Sequence, residues 1–107
     1  NPVRLLPVDE SVADGLIAKY PFYTKTVIPA GTYAGFDEAV PSVSVMAMLV
    51  AGPSVDAAMG YDITKAIFTH LDRLQGAHAV GKQITKETAK AGMSLPMNAG
   101  AEKYFGE

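Results

Sequence analysis

The sequence predicts an α/β fold, and three stretches of it carry that prediction. Residues 43–51 are an apolar run of strand length, and residues 23–28 are rich in β-branched side chains. Residues 55–75 instead repeat apolar side chains at the three- and four-residue spacing of a helix. A chain of 107 residues is long enough for about one domain. We therefore expect few strands with covering helices.

The first part of the chain is predicted to form a strand, a helix and a second strand. Residues 3–7 are a short apolar run that ends in proline, which suits one strand. A helix is expected over residues 10–19, with Asp9 as its N-cap and apolar side chains four positions apart. Residues 23–28 then alternate between two faces, as a strand does.

The middle of the chain is predicted to form a buried strand and then a long helix. Residues 43–51 become apolar on both faces, which is typical of a strand covered by helices. Gly52 and Pro53 end this run, and Ser54 is placed to cap a helix over residues 55–75.

Two short helices are predicted after a stop at Gly76. Thr85 is placed to cap the first, which Gly92 would close. Asn98 is placed to cap the second, over residues 99–105. Together these predictions place the helices mainly in the second half of the chain.

The composition excludes several classes of function. A net charge of −2 gives no basic surface for nucleic acid or an anionic membrane. The absence of cysteine excludes a disulfide framework and thiolate chemistry. No apolar run has the length of a membrane span, and the chain starts without a methionine or a leader-like segment. We therefore expect a fragment of a longer protein, with any targeting signal upstream.

No pattern in the chain specifies catalysis. His70 and His78 lie eight residues apart across a helix end, without carboxylates around them, so structural roles are expected rather than metal binding. Asp37 and Glu38 are adjacent, and adjacent side chains on an extended chain point to opposite faces. This geometry favours a solvated loop over an acid–base pair. We expect no catalytic residue, no metal site and no cofactor.

Residues 28–45 contain the candidate binding segment. Gly31 and Gly35 allow backbone conformations and close approaches that other residues do not. Thr32 offers a hydroxyl, and Tyr33 offers a flat ring with a phenol donor. Such a loop suits a small polar ligand held by backbone amides and one aromatic ring. The alternative is a plain connection between strands with Tyr33 packed on the sheet, and the residues alone favour that alternative.

Three stretches of the chain resemble one known family. They are "KYPFYTKTVIPAGTYAGFDEAVPSVSV" (19–45), "TKAIFTHLDRL" (64–74) and "AGAEKYFGE" (99–107). With the "LLPVD" entry strand they cover nearly the whole chain, and in this order they resemble the extracytoplasmic solute receptors of TRAP transporters, in the TAXI subgroup. The family's loop often reads tyrosine-proline-glycine followed by a polar residue, whereas here Ala34 stands in place of the proline and Phe36 in place of the polar residue. Ala39 stands where an acidic residue is common.

The resemblance implies the C-terminal fragment of a two-lobe periplasmic-binding-protein fold of type II. Residues 1–45 would form the end of the second lobe and a hinge crossing. Residues 46–107 would form a strand and helices that pack on the first lobe. The receptor would close on a small organic anion or amino acid, such as glutamate, in the periplasm or otherwise outside the cytoplasmic membrane. It would then deliver this solute to the permease subunits of the membrane transporter.

The resemblance also implies that the ligand lies at the glycine-containing loop. Gly31, Thr32 and Tyr33 would lie next to the ligand, and Asp37 would meet an ammonium group. The loop has no arginine, so a carboxylate-clamping arginine would come from the rest of the parent chain, which would carry a signal peptide. The fragment alone is expected to bind the solute poorly, because half of the cleft would be absent.

Two other classes of function stay open at this point. One is a small α/β enzyme that uses Asp37, Glu38 and a histidine. The other is an oligomerisation domain whose exposed helix faces pair with a second copy of the chain. A parent reading frame with a secretion signal would favour the receptor over the enzyme. Light scattering that shows a strict monomer would count against the oligomerisation domain.

Overall fold

The computed structural model describes residues 4–107 and divides the chain into two compact units. Unit 1 extends to Ala47 and includes Gly92–Ser94, and unit 2 comprises Met48–Ala91 and Leu95–Glu107. The described residues form two strands, four α-helices and one 3₁₀ helix. The predicted small α/β class with few strands is confirmed.

Unit 1 consists of one helix and a two-stranded antiparallel sheet. Helix α1 spans Glu10–Lys19, strand β1 spans Tyr23–Ile28 and strand β2 spans Val40–Val45. The strands pair over their whole lengths, with Tyr23 opposite Val45. The bounds of α1 and β1 agree with the prediction. Asp9 occupies the N-cap position, although its side chain makes no capping hydrogen bond.

An ion cluster joins α1 to the hairpin. The Lys25 ammonium on β1 lies 3.0 Å from a Glu10 carboxylate oxygen and 2.7 Å from a carboxylate oxygen of Asp14. Hydrogen bonds to Asp14 and then to Glu10 raise the pKa of Lys25. Ala13 on α1 is the one buried apolar residue among residues 4–107. Unit 1 therefore depends mainly on its strand pairing rather than on a large apolar core, and the exposed ion cluster adds little.

The strand predicted at residues 3–7 is wrong for the part that the structure describes. Residues 4–7 have no regular structure, and Val3 lies outside the described residues. The segment joins the hairpin through one backbone hydrogen bond, in which the Val8 N–H donates to the Pro41 carbonyl at 2.9 Å. Because Pro7 has no N–H, it cannot extend this pairing into a ladder.

The strand predicted at residues 43–51 is shifted toward the N-terminus. It begins at Val40 and ends at Val45, because β1 has no residue left to pair beyond Tyr23. The following apolar residues have no regular structure, and Leu49 is exposed. Their apolar pattern was typical of a strand, but a strand also needs a partner.

Unit 2 contains the remaining helices. Helix α2 spans Ala57–Thr69, helix α3 spans Leu71–Ala77, a 3₁₀ helix spans Ala79–Gln83, and helix α4 spans Ala99–Gly106. None of the helices in residues 4–107 combines the length and the apolar character that a membrane span requires.

The single helix predicted over residues 55–75 is wrong, because the chain forms two helices that meet at His70. The backbone of His70 leaves helical geometry, with φ of −120° and ψ of 35°. Its ring Nδ1 lies 2.9 Å from the Ala66 carbonyl oxygen, one turn earlier. The apolar repeat continues through this break, so the spacing alone could not show it.

The N-cap of α2 is Asp56 rather than the predicted Ser54. The Asp56 carboxylate accepts a hydrogen bond from the Met59 N–H at 2.8 Å. A carboxylate at this position also complements the positive end of the helix dipole. Serine and aspartate both favour N-caps, so residue type alone does not decide between positions 54 and 56.

The helix predicted from Thr85 to Gly92 is absent, and the segment consists of turns. The Thr85 hydroxyl accepts from the Thr88 N–H at 3.2 Å, and the Thr88 hydroxyl donates to the Gln83 carbonyl at 2.7 Å. Such side-chain bonds to the backbone compete with a helical ladder. The last helix is confirmed, and Asn98 caps it by accepting from the Gly100 N–H at 2.8 Å.

Helices α2 and α4 pack through their smallest residues. Gly60 and Thr64 on α2 and Gly100 on α4 are buried. The Thr64 hydroxyl donates to the Gly60 carbonyl at 2.8 Å, and the Asn98 amide donates to the Val55 carbonyl at 3.1 Å. Aromatic rings extend this contact with centroids 5.2 to 5.9 Å apart, namely Tyr61, Phe68, Tyr104 and Phe105.

Candidate functional site

The segment that joins β1 to β2 begins with a tight turn. The Thr32 N–H donates to the Pro29 carbonyl at 3.2 Å, and Gly31 between them has a φ of 75°. A positive φ at the third residue is what a type II turn requires, and glycine adopts it without a steric penalty. This turn explains the position of Gly31.

A second turn of the same kind follows directly. The Phe36 N–H donates to the Tyr33 carbonyl at 3.1 Å, with Gly35 at a φ of 85° in the third position. The Gly31 N–H donates to the Phe36 carbonyl at 2.7 Å and so joins the two turns. The loop is therefore shaped by its own backbone hydrogen bonds, and half-buried Phe36 anchors it.

Two of the predicted ligand contacts already have partners inside the loop. The Gly31 N–H is bonded to Phe36, and the Thr32 hydroxyl donates to the Pro29 carbonyl at 2.7 Å. The Thr32 oxygen keeps acceptor capacity, but its proton is used. A ligand contact from Gly31 or Thr32 stays a prediction, and in this conformation both residues support the loop.

The other two predicted contacts present polar groups to solvent. The Tyr33 side chain is 49% exposed, and Asp37 is also exposed. Within residues 4–107, neither the Tyr33 hydroxyl nor the Asp37 carboxylate has a hydrogen-bond or ion-pair partner, and the Gly35 N–H has no backbone acceptor. The loop thus offers two donors and a carboxylate within five residues. Their role in binding stays a prediction.

The remaining candidate groups do not form a catalytic arrangement in the described residues. His70 is bonded to the Ala66 carbonyl, and His78 accepts a hydrogen bond from the Val80 N–H at 3.1 Å. Glu38 is exposed. No group of three or more histidine, cysteine or acidic side chains suited to a metal ion occurs among residues 4–107.

Unit 2 has an open groove that the sequence did not reveal. Its volume is about 320 Å³, and it lies where α2 and α4 begin. Its lining is mostly small and apolar, with one charge of each sign, and comprises Ala57, Ala58, Tyr61, Asp62, Ala99, Gly100 and Lys103. The two N-cap positions were the only sequence feature that could have indicated it, because they place two helix starts.

One side of this groove is fixed by a contact with the C-terminal residue. The Tyr61 hydroxyl donates to a Glu107 carboxylate oxygen at 2.7 Å. This hydrogen bond is the main reason that the pKa of Tyr61 is raised. Because the phenol and the carboxylate satisfy each other, the groove offers a ligand little beyond its helix ends, Asp62 and Lys103.

Over residues 1–107 the sequence matches the NMT1-like family, and the chain belongs to that family. The NMT1-like family is periplasmic-binding-protein-like and related to solute-binding receptors. The chain's general function is therefore solute binding, and its family is a binding-protein family that is generally non-enzymatic.

Proposed function

We propose that this chain is part of the solute receptor of a TRAP-type transporter of the TAXI subgroup. The receptor captures a small organic anion or amino acid, such as glutamate, outside the cytoplasmic membrane and passes it to the permease. The observation that carries the proposal is the match to the NMT1-like family over residues 1–107. The resemblance of residues 19–45 to TAXI receptors supports the finer assignment.

The proposal assigns residues 1–45 to the second lobe and the hinge crossing, and residues 46–107 to the contact with the first lobe. The division of the chain at Ala47 supports this assignment. So do the exposed apolar side chains of Leu49 and Met59, because apolar surface of this kind normally packs against another part of a protein.

The chemistry of the loop favours an amino acid over a simple dicarboxylate. The Tyr33 hydroxyl and the Gly35 N–H can donate to a ligand carboxylate, and the Asp37 carboxylate can accept from an ammonium group. No lysine or arginine lies in residues 29–39 to offset Asp37. A ligand with an ammonium group therefore gains a charge-assisted contact that succinate lacks.

Saturation-transfer NMR on the chain tests whether it binds such solutes. The probes are L-glutamate, L-glutamine and succinate, with glucose as the negative control. We expect transfer to both amino acids with dissociation constants on the order of 1 mM, because the exposed loop contacts the ligand from one side only. Transfer to glucose as strong as to the amino acids would contradict the proposal, and so would no transfer to any probe.

Two matched substitutions test the proposed role of the carboxylate. Asp37→Asn should weaken amino-acid binding roughly tenfold, the loss expected for one charge-assisted contact, and leave succinate binding unchanged or slightly stronger. Glu38→Gln makes the same charge change one residue away and should leave both affinities unchanged. Equal losses in the two variants would show a general charge effect and would reject a direct contact from Asp37.

A further inference from the structure

His78 connects two helical elements of unit 2. Its backbone N–H donates to the Leu74 carbonyl at 3.2 Å, at the C-terminal end of α3. Its ring Nδ1 accepts a hydrogen bond from the Val80 N–H at 3.1 Å and caps the 3₁₀ helix Ala79–Gln83. One imidazole thus stands between the end of one helix and the start of the next.

The capping bond requires an unprotonated Nδ1. A neutral imidazole with its proton on Nε2 can accept from the Val80 N–H, whereas an imidazolium has a proton on both nitrogens. Protonation therefore removes the cap. It also places a positive charge at the start of the 3₁₀ helix, which is unfavourable, and beside the C-terminal carbonyls of α3, which is favourable.

His70 provides an internal contrast. Its Nδ1 lies 2.9 Å from the Ala66 carbonyl oxygen, so Nδ1 must carry a proton to make that bond. The neutral Nδ1–H form and the imidazolium both satisfy this requirement. Of the two histidines, His78 is the one whose observed hydrogen bond is lost on protonation.

Few charged side chains lie on the two helical elements that adjoin the His78 ring. The charged side chains on the two adjoining elements are Asp72 and Arg73 on α3 and Lys82 on the 3₁₀ helix. None of these three makes a hydrogen bond or ion pair with the ring in the described residues. Gly81 lies directly against the Leu74 carbonyl, so the 3₁₀ helix packs on the end of α3.

We propose that His78 is a pH-sensitive switch. The neutral ring caps the 3₁₀ helix, and the protonated ring releases its first turn and turns toward the C-terminal carbonyls of α3. The 3₁₀ helix is therefore ordered while the ring is neutral and released when acidification protonates it. This inference goes beyond solute binding and concerns the 3₁₀ helix Ala79–Gln83 of unit 2.

NMR of the isotope-labelled chain tests the switch. At about pH 8 the ring-nitrogen shifts of His78 should show an unprotonated Nδ1, and on acidification to about pH 5 the Val80 amide should shift with the ring. The amide-exchange protection factor of Val80 should fall roughly fivefold, the loss that one capping bond predicts.

Three variants separate the switch from a merely structural role. In His78→Asn the side-chain oxygen can accept at any pH, so the Val80 amide should stay bonded without a transition. In His78→Ala the Val80 amide should be unprotected at every pH. In His70→Gln the pH-dependent change of the Val80 amide should persist, because His78 is unchanged. A proton on Nδ1 at about pH 8 would overturn the proposal. A Val80 amide that does not respond to pH, or a transition that persists in His78→Asn, would also overturn it.

Discussion

The loop between β1 and β2 and the crossing of α2 with α4 both depend on glycine, for opposite reasons. At Gly31 and Gly35 the backbone φ is positive, and an added Cβ would meet nothing within 4 Å. At Gly100 the φ is ordinary, but an added Cβ would collide with the Ala57 carbonyl and the Tyr61 N–H. The loop needs glycine for its conformation, and the helix pair needs it for space.

This difference shows how the two regions respond to change. Replacing a glycine that is needed for its positive φ should cost a limited free energy of unfolding, because the backbone can relax into the open space around the loop. Replacing a glycine that is packed against backbone atoms should cost more, because the added side chain forces the helices apart and their other contacts are lost. The candidate site is therefore on the more tolerant part of the molecule, and the crossing is the part that a single methyl group can disrupt.

The largest effect is expected for Gly100→Ala. The new methyl group would lie against backbone atoms of α2, so we expect unit 2 to lose about 3 kcal/mol or more of its free energy of unfolding. Urea unfolding followed by circular dichroism measures this loss. Gly106→Ala on the same helix has nothing within 4 Å of the added Cβ and should change the stability little. Equal effects of the two substitutions would contradict the packing argument.

A smaller effect is expected for Gly35→Ala. Alanine at a φ of 85° is strained but meets no neighbour, so we expect unit 1 to lose about 1–2 kcal/mol. Gly35→Asn should cost less, because asparagine tolerates the left-handed region better. Urea unfolding monitored through NMR signals of β1 and β2 measures both. A larger loss for asparagine than for alanine would show that space, rather than φ, limits this position.

The smallest effects are expected at alkaline pH, through one hydrogen-bonded group in each unit. The pKa values of Lys25 in unit 1 and Tyr61 in unit 2 are raised by hydrogen bonds to carboxylates. Their contributions are complete below the ordinary pKa values of 10.5 and 10.0 and are lost as the pH rises through the raised values.

Two substitutions distinguish the alkaline responses by NMR-monitored unfolding. Lys25→Met should reduce the alkaline dependence of unit 1 and leave that of unit 2 unchanged, and Tyr61→Phe should do the reverse. If either variant abolished the dependence in both units, the assignment of one group to each unit would be rejected.

Local signals predicted the elements that they control directly. The bounds of α1 follow from the proline after it and from its periodicity, and Asn98 indicated the start of α4. The strand at residues 43–51 was misplaced because pairing with β1 decides its end, and pairing is not local. The break at His70 interrupts an apolar repeat that continues on both sides, so periodicity could not indicate it.

The candidate site was only partly predictable for a related reason. The sequence indicated a loop with glycines and exposed polar groups, and the structure contains that loop. Which donors are free depends on the turn hydrogen bonds, which commit the Gly31 N–H and the Thr32 hydroxyl to the loop itself. Within the described residues 4–107, Tyr33 and Asp37 make no such bonds, which the residue types alone could not show.

The most direct test of the proposed solute site is to map L-glutamate onto the chain by amide chemical shifts. The account predicts that the Tyr33, Gly35 and Asp37 amides shift in a saturable manner, while the amides of the α2–α4 groove, such as Ala58 and Gly100, do not. Saturable shifts confined to the groove would contradict the account, because they would place the solute on the helix pair rather than on the loop.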